Sequence, residues 1–275
     1  MSGRDAGLVD AAGTRHAPAR GASRIVSLVP SITELVCELG LADRLVGRTG
    51  FCVHPRDTVR RIPKVGGTKD VDLDMVRALA PTHVILNMDE NRKEDAGALA
   101  EFVPNLVVTH PIAPLDNLAL YRLIGGVFDR AREAETLCRE FEEEHSRLSA
   151  AAKSFPPQRV LYLIWKKPWM TVSRDTYISR MLALVHWNTV PARSDDRYPQ
   201  IELDGALLAD VDVTLLSSEP FMFRAKHVAE LRNTALKGRK LALIDGEMTS
   251  WYGSRAIRGL GYLKRFREEL DRVPG

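Results

Sequence analysis

The chain has 275 residues, of which 45% are hydrophobic and 27% are charged, with 39 lysines and arginines against 36 aspartates and glutamates. This composition is that of an ordinary globular protein, and the length allows one large domain or two smaller ones. The basic residues are spread along the chain rather than gathered into a block, which argues against a nucleic-acid-binding or membrane-surface protein. The chain also has no run of about 18 apolar residues of the kind that spans a membrane.

Residues 1–23 are rich in glycine, alanine, arginine and aspartate, and they contain no apolar stretch like the core of a secretory signal. We therefore predict a disordered N-terminal tail over this segment. The first lobe follows over residues 24–115, and it opens with a short apolar strand from Ile25 to Val29. The strand ends at Pro30 and Ser31, and the sequence from Ser31 to Glu34 fits the S-x-x-E capping box that begins a helix.

Two later segments resemble each other. Residues 72–86 predict a helix followed by a buried strand, and residues 202–216 repeat that pattern about 130 residues further on. Each predicted strand ends in a polar loop, which begins at Asn87 in the first segment and at Ser217 in the second. Because open α/β sheets bind ligands at the carboxyl ends of their strands, the repeat predicts two similar α/β lobes with binding loops.

Between these segments, apolar residues recur at three- and four-residue spacing from Asp116 to about Ala152, without a proline. This pattern predicts one long helix over 116–152, which the glycine pair at 125 and 126 could weaken. The second lobe is predicted over 153–275. The fold class is therefore α/β, with two lobes joined by a single long backbone helix.

No catalytic motif is present: the sequence lacks a nucleophile elbow, a phosphate-binding loop, a dinucleotide-binding glycine pattern and a paired-histidine zinc motif. We therefore predict a binding protein rather than an enzyme. The seven histidines are scattered, and His54 alone attracts attention because it shares an apolar loop with Phe51 and Cys52. This loop is either ordinary turn packing or one wall of a ligand pocket.

Aromatic residues provide the stronger indication of a binding site. Trp169 and Trp251 follow closely on predicted strands, and Tyr198 occupies a further loop. Aromatic side chains grouped in such loops are harder to bury than those on strands, and exposed aromatic faces are typical of recognition surfaces. The alternative, that they belong to the core, stays open.

Several segments resemble the periplasmic cobalamin-binding proteins and their helical-backbone relatives, the class III periplasmic binding proteins. The similar segments are RIVSLVPSITEL at 24–35, GRTGFCVHP at 47–55, PKVGGTK at 63–69 and DGEMTSWYG at 245–253. The resemblance extends over nearly everything after residue 23. It implies a substrate-binding component of an ABC importer, with a corrinoid such as cobalamin held in a cleft between the lobes.

The resemblance also implies roles for particular residues. The ligand-contacting set would be Phe51, His54, Trp169, Tyr198, Trp251 and Tyr252, with Pro30, Ser31 and Asn87 facing the same cleft. An acidic residue from each lobe would dock the dimeric membrane permease, and these acids map to Glu94 in the first lobe and to Asp204 or Glu202 in the second. His54 stands where cobalamin-binding relatives often have tyrosine, so it is also a candidate axial ligand to a metal.

Three alternatives stay open. A protein of the same fold could bind heme or a ferric siderophore instead of a corrinoid. The family implies a periplasmic monomer, whereas the absence of a signal-like segment in residues 1–23 favours a cytoplasmic protein that handles or senses corrinoids. In each reading the bound molecule, a corrinoid in the leading one, is a ligand and not a catalytic cofactor.

Overall fold

The computed structural model describes residues 8–19 and 21–272 and divides the chain into two compact units, each with its own parallel sheet. Unit 1 comprises Met1–Pro111, Leu115–Glu140 and Tyr252–Arg255. Unit 2 comprises Ile112–Pro114, Phe141–Trp251 and Ala256–Gly275. The predicted α/β fold class is confirmed.

The sheet of unit 1 has four parallel strands in the order β4-β3-β5-β6, and a small antiparallel hairpin, β1-β2, precedes it. Its strands are β1 (Leu8–Val9), β2 (Arg15–His16), β3 (Ile25–Ser27), β4 (Leu45–Arg48), β5 (His83–Asn87) and β6 (Asn105–Thr109). Its helices are α1 (Pro30–Glu38), α2 (Arg56–Val59), α3 (Leu73–Ala78), α4 (Lys93–Ala100) and α5 (Asp116–Val127), with a 3-10 turn at Ala42–Arg44.

The division between the units falls inside α6 (Ala131–Ala152). The strands after α6 are β7 (Gln158–Leu163), β8 (Trp169–Met170), β9 (Trp187–Thr189), β10 (Gln200–Ile201), β11 (Val213–Ser217) and β12 (Lys240–Ile244). The helices are α7 (Tyr177–Ala183), α8 (Gly205–Ala209), α9 (Ala225–Arg232), α10 (Gly246–Ser250) and α11 (Arg255–Arg272). The main sheet of unit 2 runs β9-β7-β11-β12, all parallel, while β8 and β10 form an antiparallel pair.

The internal repeat is therefore present in the topology. Within each unit, the strands of the parallel sheet lie in the same order: second, first, third, fourth. The third strand of each sheet follows a short helix capped by an aspartate, because Asp72 accepts from Met75 N and Asp204 accepts from Leu207 N. These caps align Asp72 with Asp204, a register two residues away from the one that the sequence pattern indicated.

Each unit has its own apolar core, and a cluster of buried side chains packs on one face of its sheet. In unit 1, residues of β3 and β5 pack with Val65, Val76 and Leu99, and in unit 2 residues of β7 and β11 pack with Leu208, Leu231 and others. Both third strands are buried at every position. Strands buried on two faces are typical of parallel sheets covered by helices, and they read as continuous apolar runs in the sequence.

The predicted disordered tail is not observed where the structure describes it, although residues 1–7 and 20 lie outside the described residues. The β1-β2 hairpin docks on the edge strand β6, where Ala11 N donates to Val108 O and Val108 N donates to the Asp10 carboxylate. Asp10 is buried and also accepts from Ala12 N, Thr14 N and the His16 ring. A single aspartate thus holds the turn together and attaches it to the sheet edge.

The predicted continuous helix over 116–152 is two helices, α5 and α6, separated at residues 128–130. Asp129 adopts a left-handed conformation with φ of 57°, and Arg130 N donates to Gly125 O at 2.6 Å. This pairing is that of a Schellman stop. Gly125 permits it, since a Cβ there would lie 2.8 Å from Arg130 O.

The capping box expected at Ser31–Glu34 is also absent. Helix α1 begins one residue earlier, with Pro30 in its first turn and Val29 as a cap without a side-chain hydrogen bond. Proline suits this position because its missing N–H has no helical partner to lose. Glu34 instead forms a buried ion pair with Arg255, at 2.8 and 2.9 Å.

Candidate functional site

In unit 1, the carboxyl ends of the parallel strands carry three polypeptide loops. They comprise the turn into α1 at Pro30 and Ser31, the loop from Gly50 to Pro55 after β4, and the loop from Asn87 to Asn91 after β5. Phe51 is 63% exposed and Met88 is 46% exposed, so apolar surface is available at this edge. His54 is partly buried.

The PKVGG motif supports Phe51 and the loop around it. Gly66 has φ of +88°, and a Cβ there would lie 2.2 Å from Asp70 O. A Cβ on Gly67 would meet the Asp70 carboxylate and the ring of Phe51, and Gly50 N donates to Gly66 O at 2.8 Å. The two glycines therefore let one loop approach the other closely, which leaves the ring of Phe51 exposed.

Three of the predicted ligand-facing residues are instead buried in unit 1. Pro30 and Ser31 belong to the first turn of α1, and Asn87 is 2% exposed. The amide oxygen of Asn87 accepts from Asp89 N at 2.8 Å, so this side chain shapes its own loop. The role in ligand contact predicted for these three residues stays a prediction.

Tyr252 is buried as well, in a segment that unit 1 takes from the C-terminal part of the chain. Its hydroxyl contacts a carboxylate oxygen of Glu90 in the loop after β5, while Gly253 N donates to Asn117 and Gly253 O accepts from the Tyr121 hydroxyl. Burial and the neighbouring Glu90 raise the pKa of Tyr252 well above its ordinary value. Tyr252 therefore fixes this loop through its hydroxyl.

In unit 2, the corresponding strand ends carry a group of aromatic rings. Trp165 and Phe221 meet edge to face at 5.7 Å, Phe221 and Phe223 lie 4.7 Å apart, and Trp169 stacks on Phe223 at 6.2 Å. Phe223 is buried, whereas Trp165 is 39% and Met222 is 57% exposed. Trp169 is thus partly core, and Trp165 with Met222 supplies the more open apolar surface.

Tyr198 and Trp251 occupy other loops of unit 2. Tyr198 is 41% exposed, as expected for a recognition residue, and it directly precedes Pro199 and β10. Trp251 ends helix α10 and is half-buried, and its indole donates to the Glu219 carboxylate. The sequence identified both positions but gave no indication of the hydrogen bond to Glu219.

Glu219 is the acidic residue that the sequence reasoning missed. It follows β11, and Ser217 Oγ accepts from Glu219 N much as Asn87 Oδ1 accepts from Asp89 N, so Glu219 occupies the place of Asp89, one residue before Glu90. Burial raises the pKa of Glu219, and the neighbouring carboxylates of Glu247 and Asp245 raise it further, although the hydrogen bond from Ser250 at 2.6 Å opposes them. The repeated topology was the available signal, since it places the two glutamates in corresponding loops.

The candidate docking acids Glu94, Glu202 and Asp204 are all exposed. Asp204 caps α8 ahead of the third strand of its sheet, whereas Glu94 lies in the first turn of α4, after the third strand. These are not corresponding positions. The counterparts of Asp204 in unit 1 are the cap Asp72 and its neighbour Asp74 in α3.

Two parallel sheets of identical strand order, each with its loops gathered at the carboxyl edge, define a two-unit α/β ligand-binding protein. The family model described as "Periplasmic binding protein" matches residues 25–240. The chain therefore belongs to the periplasmic binding protein family, whose members bind ligands and are not enzymes. Among the described residues, no helix is long and apolar enough to cross a membrane.

Among curated relatives, the vitamin B12-binding protein of Vibrio parahaemolyticus is 24% identical over 196 residues, which is 70% of each chain. The vitamin B12-binding protein of Yersinia pestis is 23% identical over 206 residues, or 73% of this chain and 71% of the relative. These relatives match the family already indicated by the sequence.

Solved structures share the fold. The periplasmic vitamin B12-binding protein BtuF of Vibrio cholerae superposes with a TM-score of 0.78 at 17% identity, covering 92% of this chain and 99% of that one. The periplasmic heme-binding protein RhuT from Roseiflexus sp. RS-1 gives a TM-score of 0.80 at 20% identity, covering 92% and 100%. At such identities the likeness establishes the fold and leaves the ligand undecided.

Proposed function

We propose that this chain is the substrate-binding component of an ABC importer and that it binds a corrinoid such as cobalamin without converting it. The observation that supports this most directly is the similarity to vitamin B12-binding proteins over about 70% of the chain. The exposed apolar side chains at the strand ends agree with it, since a large, flat ligand gains about 25 cal/mol per Å² of apolar surface removed from water.

We propose candidate ligand contacts in each unit separately. Tyr198 and Trp165 in unit 2 and Phe51 in unit 1 offer exposed aromatic faces, and Trp169 and Trp251 are partly accessible. His54 is a candidate axial ligand to the metal of a bound corrinoid or heme, because a neutral imidazole is a good metal ligand. Tyr252, Pro30, Ser31 and Asn87 are buried in unit 1, and their contact with the ligand stays a prediction.

Heme or a ferric siderophore is the second candidate ligand, and RhuT, which shares the fold, is a heme-binding protein. Titration of the purified protein with cyanocobalamin, cobinamide, hemin and a ferric siderophore, followed by tryptophan fluorescence, separates these ligands. We expect saturable quenching by the two corrinoids. Quenching by hemin or the siderophore alone would contradict the corrinoid proposal.

Variants locate the binding surface. Tyr198→Ala is expected to weaken corrinoid binding about tenfold, because it removes an exposed aromatic face. Met75→Ala is the matched control, since Met75 is 41% exposed but lies on α3, ahead of β5 rather than after it. Equal affinities of the two variants would refute this placement. For His54→Ala, we expect a change in the visible spectrum of the bound cobalt if the imidazole is a ligand.

We propose that the partner is a membrane permease dimer, to which the protein docks as a monomer through exposed acids. The candidates are Asp204 and Glu202 in unit 2 and Glu94 in unit 1, to which the repeat adds Asp72 and Asp74. A transport assay compares Asp204→Asn with Glu94→Gln, provided that both variants keep the ligand affinity of wild type. The variant that loses transport identifies the acid that docks to the permease. Loss of transport in Asp72→Asn or Asp74→Asn but not in Glu94→Gln would favour the acids that the repeat places opposite Asp204 in the sequence alignment of the two units.

The family indicates a periplasmic location, and a cytoplasmic corrinoid-handling or corrinoid-sensing role is the alternative. Fractionation of the native host with an antibody against this chain distinguishes the two. Recovery in the cytoplasm alone would overturn the importer proposal and leave corrinoid binding intact.

A further inference from the structure

A cavity of about 170 Å³ lies within unit 2, between two loops that the sequence reasoning did not consider. The first loop follows β8 and precedes α7, and the second follows β9 and precedes β10. The residues that line the cavity are Ser173, Arg174 and Asp175 from the first loop and Ala192, Arg193, Ser194 and Asp195 from the second. Because one water occupies about 30 Å³ of liquid, the cavity has room for a small polyatomic ion.

Hydrogen bonds fix the two loops relative to each other. Ser173 N donates to Arg197 O at 2.9 Å, and the Arg197 side chain donates to Asp175 O at 2.8 Å. Ser173 O also accepts from the Thr176 hydroxyl at 2.8 Å, which ties the first loop to the start of α7. These bonds hold the backbone of the first loop, on both sides of Arg174, against Arg197 of the second loop.

Arg174 and Arg193 are both exposed, and both line this cavity. Within the described part of the chain, neither guanidinium makes an ion pair or a hydrogen bond. Asp175 faces Arg180 at 3.7 Å and is 80% exposed, so it is directed partly to another cation. A guanidinium without a partner is favourably neutralised by an anion that enters the cavity.

We propose that Arg174 and Arg193 form an oxyanion-binding site that accepts a singly charged phosphodiester or carboxylate. Guanidinium groups recognise such oxyanions through paired, charge-assisted hydrogen bonds. The carboxylates of Asp175 and Asp195 also line the cavity, so a doubly charged phosphate monoester is disfavoured relative to a monoanion. The site binds a functional group of a ligand and does not attract anions in general.

The site lies next to a recognition residue in the same unit. Arg197, whose backbone and side chain fix the first loop, places its guanidinium 6.0 Å from the ring centroid of Tyr198. In this proposal, a ligand that covers Tyr198 presents an anionic arm to Arg174 and Arg193, which lie in the two loops that Arg197 joins. This link to the imported ligand rests on the proposed function. The phosphodiester of the cobalamin nucleotide loop and a heme carboxylate are two sources of the same chemistry.

The experiment compares Arg174→Gln, Arg193→Gln and the double variant with Arg265→Gln, which removes the same charge from an exposed position on α11. Each protein is titrated with cyanocobalamin, with cobinamide, which lacks the phosphodiester, and with hemin. We expect the double variant to bind cyanocobalamin about tenfold or more weakly, cobinamide within about twofold of wild type, and the control to match wild type. Added salt should weaken cyanocobalamin binding more than cobinamide binding.

If the double variant weakens hemin instead and spares cyanocobalamin, the oxyanion is a carboxylate. Unchanged affinity for every ligand, or equal losses for cyanocobalamin and cobinamide, would overturn the site. If wild type binds none of the three ligands, the proposed function fails. The anion site is then tested separately, by measuring thermal stabilisation with dimethyl phosphate. Thermal stabilisation of wild type and Arg265→Gln but not of the double variant would support it, and no difference would refute it.

Discussion

The docking of the N-terminal hairpin can be tested at one glycine. Gly126 lies in α5, and a Cβ built there would approach the side chain of Leu8 in β1 at 2.3, 3.2 and 3.3 Å. Since real Cβ atoms essentially never come so close, Gly126→Ala forces Leu8 and its hairpin to move. Gly97 in α4 is the matched control, because a Cβ there meets nothing within 4 Å.

Both substitutions gain helix propensity, but only Gly126→Ala overpacks a neighbouring side chain. Alanine is favoured over glycine inside a helix by about 1 kcal/mol, so Gly97→Ala should raise the free energy of unfolding by about that amount. Gly126→Ala gains the same helix propensity but overpacks Leu8, at a cost of about 1–3 kcal/mol. We expect a net loss of up to about 2 kcal/mol. In a Leu8→Ala background, Gly126→Ala should become stabilising again.

Urea unfolding followed by circular dichroism measures these free energies, and a double-mutant cycle isolates the coupling between the two sites. Hydrogen exchange at the Ala11 amide, which is bonded to Val108 O, reports directly on whether the hairpin has left β6. If Gly126→Ala is as stabilising as Gly97→Ala with Leu8 present, and Ala11 exchange is unchanged, the hairpin does not pack on α5 as described.

Three further predictions concern buried charge. Burial lowers the pKa of His83 from 6.5 to about 4, so the free energy of unfolding should be largest above pH 6.5 and fall by up to about 3 kcal/mol as the pH drops to 4. His83→Gln should reduce this pH dependence in acid titrations monitored by fluorescence. The pKa of Glu219 is raised, so the stability of wild type should decline as the pH rises through that pKa. Glu219→Gln should therefore unfold at a higher urea concentration than wild type at pH 8 but not at pH 4. Equal urea midpoints at both pH values would count against this. Removing one partner of the Glu34–Arg255 pair strands a buried charge, so Arg255→Met should cost about 3–5 kcal/mol and Glu34→Leu with Arg255→Met should cost less; a double variant weaker than both singles would contradict this.

The fold class could be predicted from the sequence because parallel strands buried on both faces are continuous apolar runs, which are easy to recognise. His83–Asn87 and Val213–Ser217 are the clearest cases, since each is an apolar run after a capped helix. The helix break at Asp129 was harder to predict, because the apolar spacing continues across it and the stop depends on one left-handed residue. The hairpin at residues 8–16 was missed because its stability comes from Asp10 and from the edge of β6, about 100 residues away.

The candidate site was predicted less completely, for a related reason. Residue type identified Tyr198 and Trp251, but burial distinguishes an exposed ring from one that supports a loop, and burial depends on tertiary neighbours. Tyr252 illustrates this, because the same aromatic signal belongs to a buried side chain whose hydroxyl contacts Glu90. Trp165 was overlooked although it is more exposed than Trp169, since only the structure shows that Phe223 stacks on Trp169.

The repeat of one strand order in both units places a glutamate in the loop after the third strand of each sheet. Glu90 follows β5 and Glu219 follows β11, and each acid is hydrogen-bonded to a residue at the end of helix α10 or just after it. The hydroxyl of Tyr252 and the side chains of Ser250 and Trp251 are those partners. Ser250 and Trp251 therefore contact the loop after β11 in unit 2, and Tyr252 contacts the loop after β5 in unit 1. A ligand that alters the hydrogen bonds of Glu219 is therefore expected to change the fluorescence of Trp251 in the titrations proposed above.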